Sequence, residues 1–377
     1  EEINYRRFFD INELAAIRVE LPEVFKQVHE TIFRLIREGV ITGLRVDHPD
    51  GLFNPPQYFM DLQRACYLAR IGDELDANEF PASEHDRALW VVVEKILAHQ
   101  ERLRPDWAVH GTTGYEFLNL VNGLFVEGRN AAHFLSLYAR FTGENTDFPR
   151  LMHACKKLIL DTAMAAEITV LARRLDRISE QNRWTRDFTL GAQLEALSEF
   201  ISWFPVYRSY IRPESETVDE DDARYIRAAI RTAKRRNPSV DPSIYDFLAS
   251  LLLLDYPEKL SAEQRAQWKD FVLRLQQLTG PVMAKGLEDT AFYRVYPLAS
   301  LNEVGGEPHR FGVSVEEFHA RNAERLARWP HSMINTYTHD TKRSEDVRAR
   351  ISVLSEIPDA WDDAISRWSA LNARHLR

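Results

Sequence analysis

Three carboxylates in this chain stand at the ends of short apolar runs. Asp47 closes Gly43-Leu44-Arg45-Val46-Asp47, Glu94 closes Trp90-Val91-Val92-Val93-Glu94, and Asp340 follows the run from Met333 to Thr338 and His339. In an extended run side chains alternate, so Arg45 and Asp47 share one face while Leu44 and Val46 pack on the other. A cation beside a carboxylate keeps it ionised, the state a nucleophile needs. Glu94 ends a run of tryptophan and valines, and an apolar setting raises a carboxyl pKa, as suits a proton donor near neutral pH. One acid held ionised and one held protonated make a nucleophile and an acid/base, and His339-Asp340 completes the set.

Each of these features also has a structural reading. Arg45 and Asp47 can be an ion pair at a strand end, Glu94 can pair with the adjacent Lys95, and His339-Asp340 can be a capping hydrogen bond. Asp47 with Asp50, or His339 with Asp340, could instead bind a divalent ion. The spacing Asp47-x-x-Asp50-Gly51 lacks the ladder of oxygens and the closing Glu of a calcium loop, so no metal site is expected.

The elements that must position these groups alternate between helix and strand. A helix opens at Pro22, with Val24, Val28, Ile32 and Leu35/Ile36 predicted on one face and Gly39 just past its end. Val40 to Val46 follows as a strand without polar alternation, as expected for one covered on both sides. Asn54-Pro55-Pro56 starts the next helix, with Phe59, Leu62 and Cys66 inward. Trp90 to Glu94 reads as a second buried strand, and Gly111-Thr112-Thr113-Gly114 caps a further helix. Long helices from about 150 to 180 and 186 to 204 lead to a third strand at Val206 to Tyr210. Residues 213 to 280 read as a helical insertion that ends in a Ser261…Gln264 capping box. A helix capped by Ser314…Glu317 precedes a strand from Met333 to Thr338. Helices alternating with short apolar strands imply an α/β fold with a parallel sheet, open or closed as a barrel, and barrel enzymes place their chemistry where these carboxylates fall.

The chain has 377 residues and a formal charge of −9, which is unsuited to a nucleic-acid partner because phosphate binding needs a positive face. The basic run Lys234-Arg235-Arg236 closes a predicted helix, where cations complement the carbonyl end. Cys66 and Cys155 are the two cysteines and lie far apart in sequence, which suggests neither a disulfide framework nor a zinc site and makes a reducing cytoplasm the default. No run of about eighteen apolar residues occurs, so no membrane span is expected.

Taken in order, the Asp47, Glu94 and His339-Asp340 segments resemble the nucleophile, acid/base and third-carboxylate regions of the α-amylase superfamily, glycoside hydrolase family 13. More narrowly, the chain resembles the maltooligosyl trehalose synthase family. The likeness lies in Asn4 to Ile11, Gly111 to Tyr115, Phe204-Pro205-Val206-Tyr207-Arg208, Met283 to Arg294 and Thr338 to Asp346. The resemblance implies a (β/α)8 TIM-type barrel, incomplete here, running from about strand 4 to strand 7. Residues 1–212 and 281–377 would be barrel and 213–280 an inserted helical subdomain, with the first strands and a C-terminal β domain outside the chain.

It further implies conversion of the reducing-end α-1,4 link of a maltooligosaccharide to an α,α-1,1 link by a retaining double displacement. Asp47 is then the nucleophile, Glu94 the acid/base and Asp340 the transition-state stabiliser, with Arg45, His48 and His339 on the sugar and no cofactor. Lys285, Glu288, Asp289 and Tyr293, with Tyr207 and Arg208, are expected to wall the pocket that retains the released glucose; the alternative is a loop bracing the barrel rim. A trehalose-releasing hydrolase is the implied functional partner. An α-glucan hydrolase or transglycosylase of the same superfamily, and a non-catalytic glucan-binding protein, are the competing readings.

Overall fold

A computed structural model of the chain describes residues 5–71, 87–98, 100–144 and 147–375. The chain divides into two compact units, each made of two segments: residues 1–110 with 152–287, and residues 111–151 with 288–377. The helices of 213–280 share one apolar core with Leu171, Leu175, Leu197 and Phe200.

The first unit opens with an antiparallel pair, β1 (Arg7–Phe8) and β2 (Ile11–Ala15). Helix α1 (Pro22–Arg37) begins with proline at its first turn, where the missing N–H costs nothing, and Gly39 follows its end at φ 72°. Of its predicted stripe, Ile36 is buried and Val24, Ile32 and Leu35 are half-buried, whereas Val28 is 44% exposed. Phe25, His29 and Phe33, at i, i+4 and i+8, stack along the helix, and His29 is buried among them. Helix α2 (Pro55–Ile71) buries Phe59, Leu62 and Cys66 as expected and supplies Tyr58, whose hydroxyl meets His29 Nε2 at 2.9 Å.

These helices flank the parallel pair β3 (Gly43–Val46) and β4 (Trp90–Val93), in register Gly43 with Trp90 through Val46 with Val93. Val91, Val92 and Val93 are fully buried. The strand before Asp47 is not covered on both sides as its composition suggested. It is shorter, Val40 is exposed, and Leu44 and Val46 are half-buried.

The expected helix from 150 to 180 is two helices, α5 (Phe148–Asp161) and α6 (Ala165–Ser179). Helix α7 (Leu190–Trp203) starts at its Thr189 cap. Helix α8 (Glu220–Arg236) carries acids in its first turn and Lys234, Arg235 and Arg236 in its last, matching the helix dipole at both ends. After α9 (Pro242–Leu252), helix α10 (Ala262–Met283) begins in the predicted Ser261/Gln264 capping box and runs into a π-helical turn, Ala284–Glu288.

The third strand expected at Val206 to Tyr210 does not form. Side chains satisfy its backbone in place of a ladder: Tyr210 N–H donates to Asp222 Oδ2, and Gln276 both accepts from Ile211 N–H and donates to Ile211 C=O. An amide at the right depth substitutes for a neighbouring strand, and hydropathy does not register it.

The second unit contains α3 (Tyr115–Leu124), α4 (Ala131–Thr142), α11 (Val315–Arg328), α12 (Glu345–Ser352) and α13 (Pro358–Asn372). Val126, Phe134, Leu298 and Leu301 form an apolar cluster with Phe311, Leu354 and Trp361 against it. The predicted strand from Met333 to Thr338 is irregular. Met333 N–H reaches Thr112 C=O, Asn335 donates to Thr113 C=O, and Arg348 holds Thr336 C=O, so mixed partners replace a ladder. Among the described residues the sheets are the two pairs β1–β2 and β3–β4, and the expected strand 4 to strand 7 barrel arc is not formed as a continuous ladder.

Candidate active site

In the first unit the β3–β4 ladder continues one step past its last paired residues, because Glu94 N–H donates to Val46 C=O at 2.9 Å. That register sets Asp47 beside Glu94 on neighbouring parallel strands. Alternation places Arg45 on the side of Asp47, and the guanidinium meets Asp47 Oδ1 at 2.8 Å with both groups open to solvent.

The chain then turns through His48 in the left-handed region, φ 43° and ψ 56°, rare for a residue with a β-carbon. This conformation aims the His48 N–H at Glu94 Oε2, 2.8 Å away. The imidazole packs on Phe9 at 4.6 Å between ring centres and on Phe8 at 5.7 Å. Gly51 is required beneath it, since a β-carbon there would lie 2.5 Å from His48 Cδ2. Burial lowers the His48 pKa to about 4, so at neutral pH the ring is uncharged.

Behind this pair lies a buried charged network that the sequence did not announce. Lys95 does not pair with Glu94. Its ammonium is 3.3 Å from Asp50 Oδ2 and 3.0 Å from Glu101 Oε1, with the side chain 1% exposed. Burial opposes the charge on Lys95, but Asp50 and Glu101 outweigh it and hold the amine above the usual lysine range. Burial, with help from Asp50, pushes Glu101 up. The two directions pull the pair apart, and the geometry favours a charged Lys95 because its ammonium touches two carboxylates.

Arg208 is also 1% exposed. It donates to the carbonyls of Asp50 and Leu52 in the loop after Asp47, and to the carbonyl of its neighbour Ser209, with the guanidinium 5.2 Å from the Tyr210 ring centre. Tyr207 is buried with its ring 5.1 Å from the Lys95 ammonium. Lys285, in the π-helical turn, lies 3.3 Å from Asp10 Oδ1 and 5.6 Å from the centre of the Phe9 ring, the same ring that packs on His48. Single π turns recur at functional sites because the extra residue redirects side chains.

In the second unit Asp340 Oδ2 accepts from the buried Tyr115 hydroxyl at 2.7 Å and lies 3.3 Å from His339 Nε2. Tyr115 also meets Thr338 Oγ1 at 3.2 Å, and His339 is largely exposed. Asp289 and Tyr293 join this loop through Lys342, which is 3.6 Å from Asp289 Oδ1 and 5.8 Å from the Tyr293 ring centre. Glu288 is buried.

The loop from 336 to 344 is held by a fully buried pair that sequence reasoning overlooked. Glu303 meets Arg348 at 3.0 Å and accepts from the N–H groups of Lys342 and Arg343. A signal existed in Asn302-Glu303-Val304-Gly305-Gly306, a lone acid in a tight turn, but nothing in it named a partner 45 residues away. Among the described residues no cluster of three or more histidine, cysteine or acidic side chains could hold a metal ion, and no helix is long and apolar enough to cross a membrane.

No family model matches the chain. Two strains of Mycobacterium tuberculosis each encode a protein provisionally described as a maltooligosyl trehalose synthase, 34% identical over 97% of this chain. The solved maltooligosyltrehalose synthase of Arthrobacter ramosus superposes with a TM-score of 0.80 at 34% identity over 98% of this chain. This chain is homologous to the maltooligosyl trehalose synthases. A Sulfolobus tokodaii structure described as a hypothetical maltooligosyl trehalose synthase agrees at a TM-score of 0.70 and 32% identity over 97% of the chain. The chain spans 42% of the Mycobacterium and Arthrobacter synthases and 41% of the Sulfolobus one.

Proposed function

We propose that this chain carries catalytic groups of a maltooligosyl trehalose synthase, an isomerase that turns the reducing-end α-1,4 link of a maltooligosaccharide into an α,α-1,1 link. The observation that carries the reading is the pairing of Asp47 with Glu94 on adjacent parallel strands, in a chain homologous to these synthases. In this reading β3 and β4 are neighbouring strands of a (β/α)8 barrel and the carboxylates stand at its C-terminal rim.

The chemistry is a double displacement. Asp47 attacks the anomeric carbon while Glu94 gives its proton to the glycosidic oxygen, the C–O bond breaks, and a glycosyl-enzyme forms with glucose released. Glu94, now a carboxylate, takes the proton from the anomeric hydroxyl of that glucose. The hydroxyl oxygen attacks the same carbon and the bond to Asp47 breaks, so two inversions give net retention. Arg45, 2.8 Å from Asp47, orients its carboxylate, and the neutral His48 ring and the exposed His339 bind sugar hydroxyls. Asp340, oriented by Tyr115, stabilises the oxocarbenium-like transition state.

Isomerisation differs from hydrolysis only in the acceptor. The glucose must stay and turn over before water arrives, and Lys285, Glu288, Asp289 and Tyr293, with Tyr207 and Arg208, are the proposed walls of its pocket. Incubation of the protein with maltopentaose tests the reading. Reducing ends disappear in isomerisation and increase in hydrolysis, and no change in either direction counts against both.

A further inference from the structure

Glu94 and Lys95 are consecutive, and beyond the last ladder pair their side chains leave the strand on opposite sides. Glu94 turns to the backbone of His48, one residue past Asp47. Lys95 turns inward to Asp50, three residues past Asp47. The loop bearing Asp47 and the strand bearing Glu94 are therefore tied twice, once in front by a hydrogen bond and once behind by a buried ion pair.

The rear tie is itself fixed. Tyr210 hydroxyl donates to Asp50 Oδ1 at 2.5 Å, Arg208 donates to the Asp50 carbonyl at 2.8 Å, and Lys95 donates to the Ile96 carbonyl at 2.6 Å. Burying two carboxylates and an ammonium is a weak way to stabilise a core, since apolar groups of the same volume do as well or better. What such a pair supplies is one allowed arrangement of the segments it joins.

We propose that Asp50 and Lys95 are positioning residues that hold Asp47 and Glu94 at the spacing a double displacement needs. The inference rests on the assignment of Asp47 and Glu94 as nucleophile and acid/base. Neither Asp50 nor Lys95 touches substrate; both act through the two carboxylates.

Asp50→Asn is the discriminating variant, because it keeps the shape of the loop and leaves Lys95 neutralised by Glu101, so the fold survives. Lys95→Met is the second. Turnover of maltopentaose is measured per folded molecule, alongside α-maltosyl fluoride, whose leaving group needs no proton from Glu94. The expected result for Asp50→Asn is a fall in kcat of about tenfold or more with KM within about twofold. Lys95→Met, which loosens the strand end bearing Glu94, is expected to lose more on maltopentaose than on the fluoride. Unchanged kcat per folded molecule in Asp50→Asn, or a loss carried by KM alone, overturns the proposal. Glu94→Gln, assayed in parallel, separates the two failures. If it keeps full turnover, the acid/base assignment is wrong; if it is inactive while Asp50→Asn matches the parent, only the positioning role is lost.

Discussion

His48 donates its backbone N–H to the carboxylate of Glu94 at 2.8 Å, across two strands whose ladder already aligns Asp47 with Glu94. In front, therefore, main chain with few soft torsions ties the loop after Asp47 to Glu94, and behind, the buried Lys95–Asp50 pair ties the same two segments. The left-handed His48 is part of that setting, at a backbone cost on the order of 1 kcal/mol.

A retaining enzyme needs its two carboxyl groups about 5 to 5.5 Å apart, whereas inversion leaves room for water at roughly 6.5 to 9.5 Å. A crystal structure of the protein with a maltooligosaccharide bound is expected to show Asp47 and Glu94 near the shorter spacing. Asp47→Ala is expected to abolish turnover. A separation beyond about 9 Å, or turnover retained in Asp47→Ala, removes the double displacement.

The sequence made the front of this site readable and left its back hidden. Alternation in Gly43 to Asp47 was enough to place Arg45 beside Asp47, because a strand's period of two is rigid. Helix ends were equally legible: Pro22, Asn54-Pro55 and the Ser261/Gln264 box act through contacts only a few residues long. The segments at 206–210 and 333–338 were misread because apolar composition reports burial, not the identity of a hydrogen-bond partner. Gln276 and Arg348 satisfy those backbones from far away in the chain. The Lys95–Asp50–Glu101 and Glu303–Arg348 groups were invisible for the same reason.

Control of the acceptor is expected to depend on the segment from Lys285 to Tyr293. Lys285 is fixed by Asp10 and the Phe9 ring, and Tyr293 is 60% exposed beside Lys342. If these side chains retain the released glucose, Lys285→Ala or Tyr293→Ala lets water compete for the glycosyl-enzyme. Free glucose should then rise about tenfold relative to the non-reducing product, a change of roughly 1.4 kcal/mol in partition, while substrate consumption falls less. An unchanged ratio in both variants would leave the segment as a brace.

His48 predicts an acid sensitivity with a definite sign. Its folded pKa of about 4 lies below the unfolded value, so between those two the unfolded chain binds a proton that the native chain refuses. Stability from the neutral ring is complete above about pH 6.5, drains as pH falls, and is gone below about pH 4. The swing is on the order of 2 kcal/mol, and it should shrink in His48→Phe when urea melts at pH 7 and pH 4.5 are compared. Equal pH dependence in the parent and His48→Phe would show that the ring titrates as if unfolded.

Lys156 makes the opposite kind of prediction, a buried cation the fold would be more stable without. Its amine is fully buried on α5, donates to the Phe204 carbonyl at 2.8 Å, and lacks a carboxylate partner among the described residues. The stem packs on Gly286, where a β-carbon would come within 2.8 Å of Lys156 Cγ, so the close approach of the π-helical turn depends on both residues. Burial lowers the pKa to about 7. The unfolded lysine binds its proton up to about pH 10.4, so stability rises with pH from about 7 to 10 as the unfolded chain gives up the proton that the native chain has already lost. Lys156→Met removes that penalty and keeps the stem, at the cost of one hydrogen bond to Phe204, about 1 to 3 kcal/mol if the carbonyl stays dry. The net expectation is a gain of about 1 to 2 kcal/mol at pH 7 that vanishes or reverses toward pH 10, read from urea melts at both values. A loss at pH 7 as large as at pH 10 would mean that Lys156 is charged and compensated in the native protein.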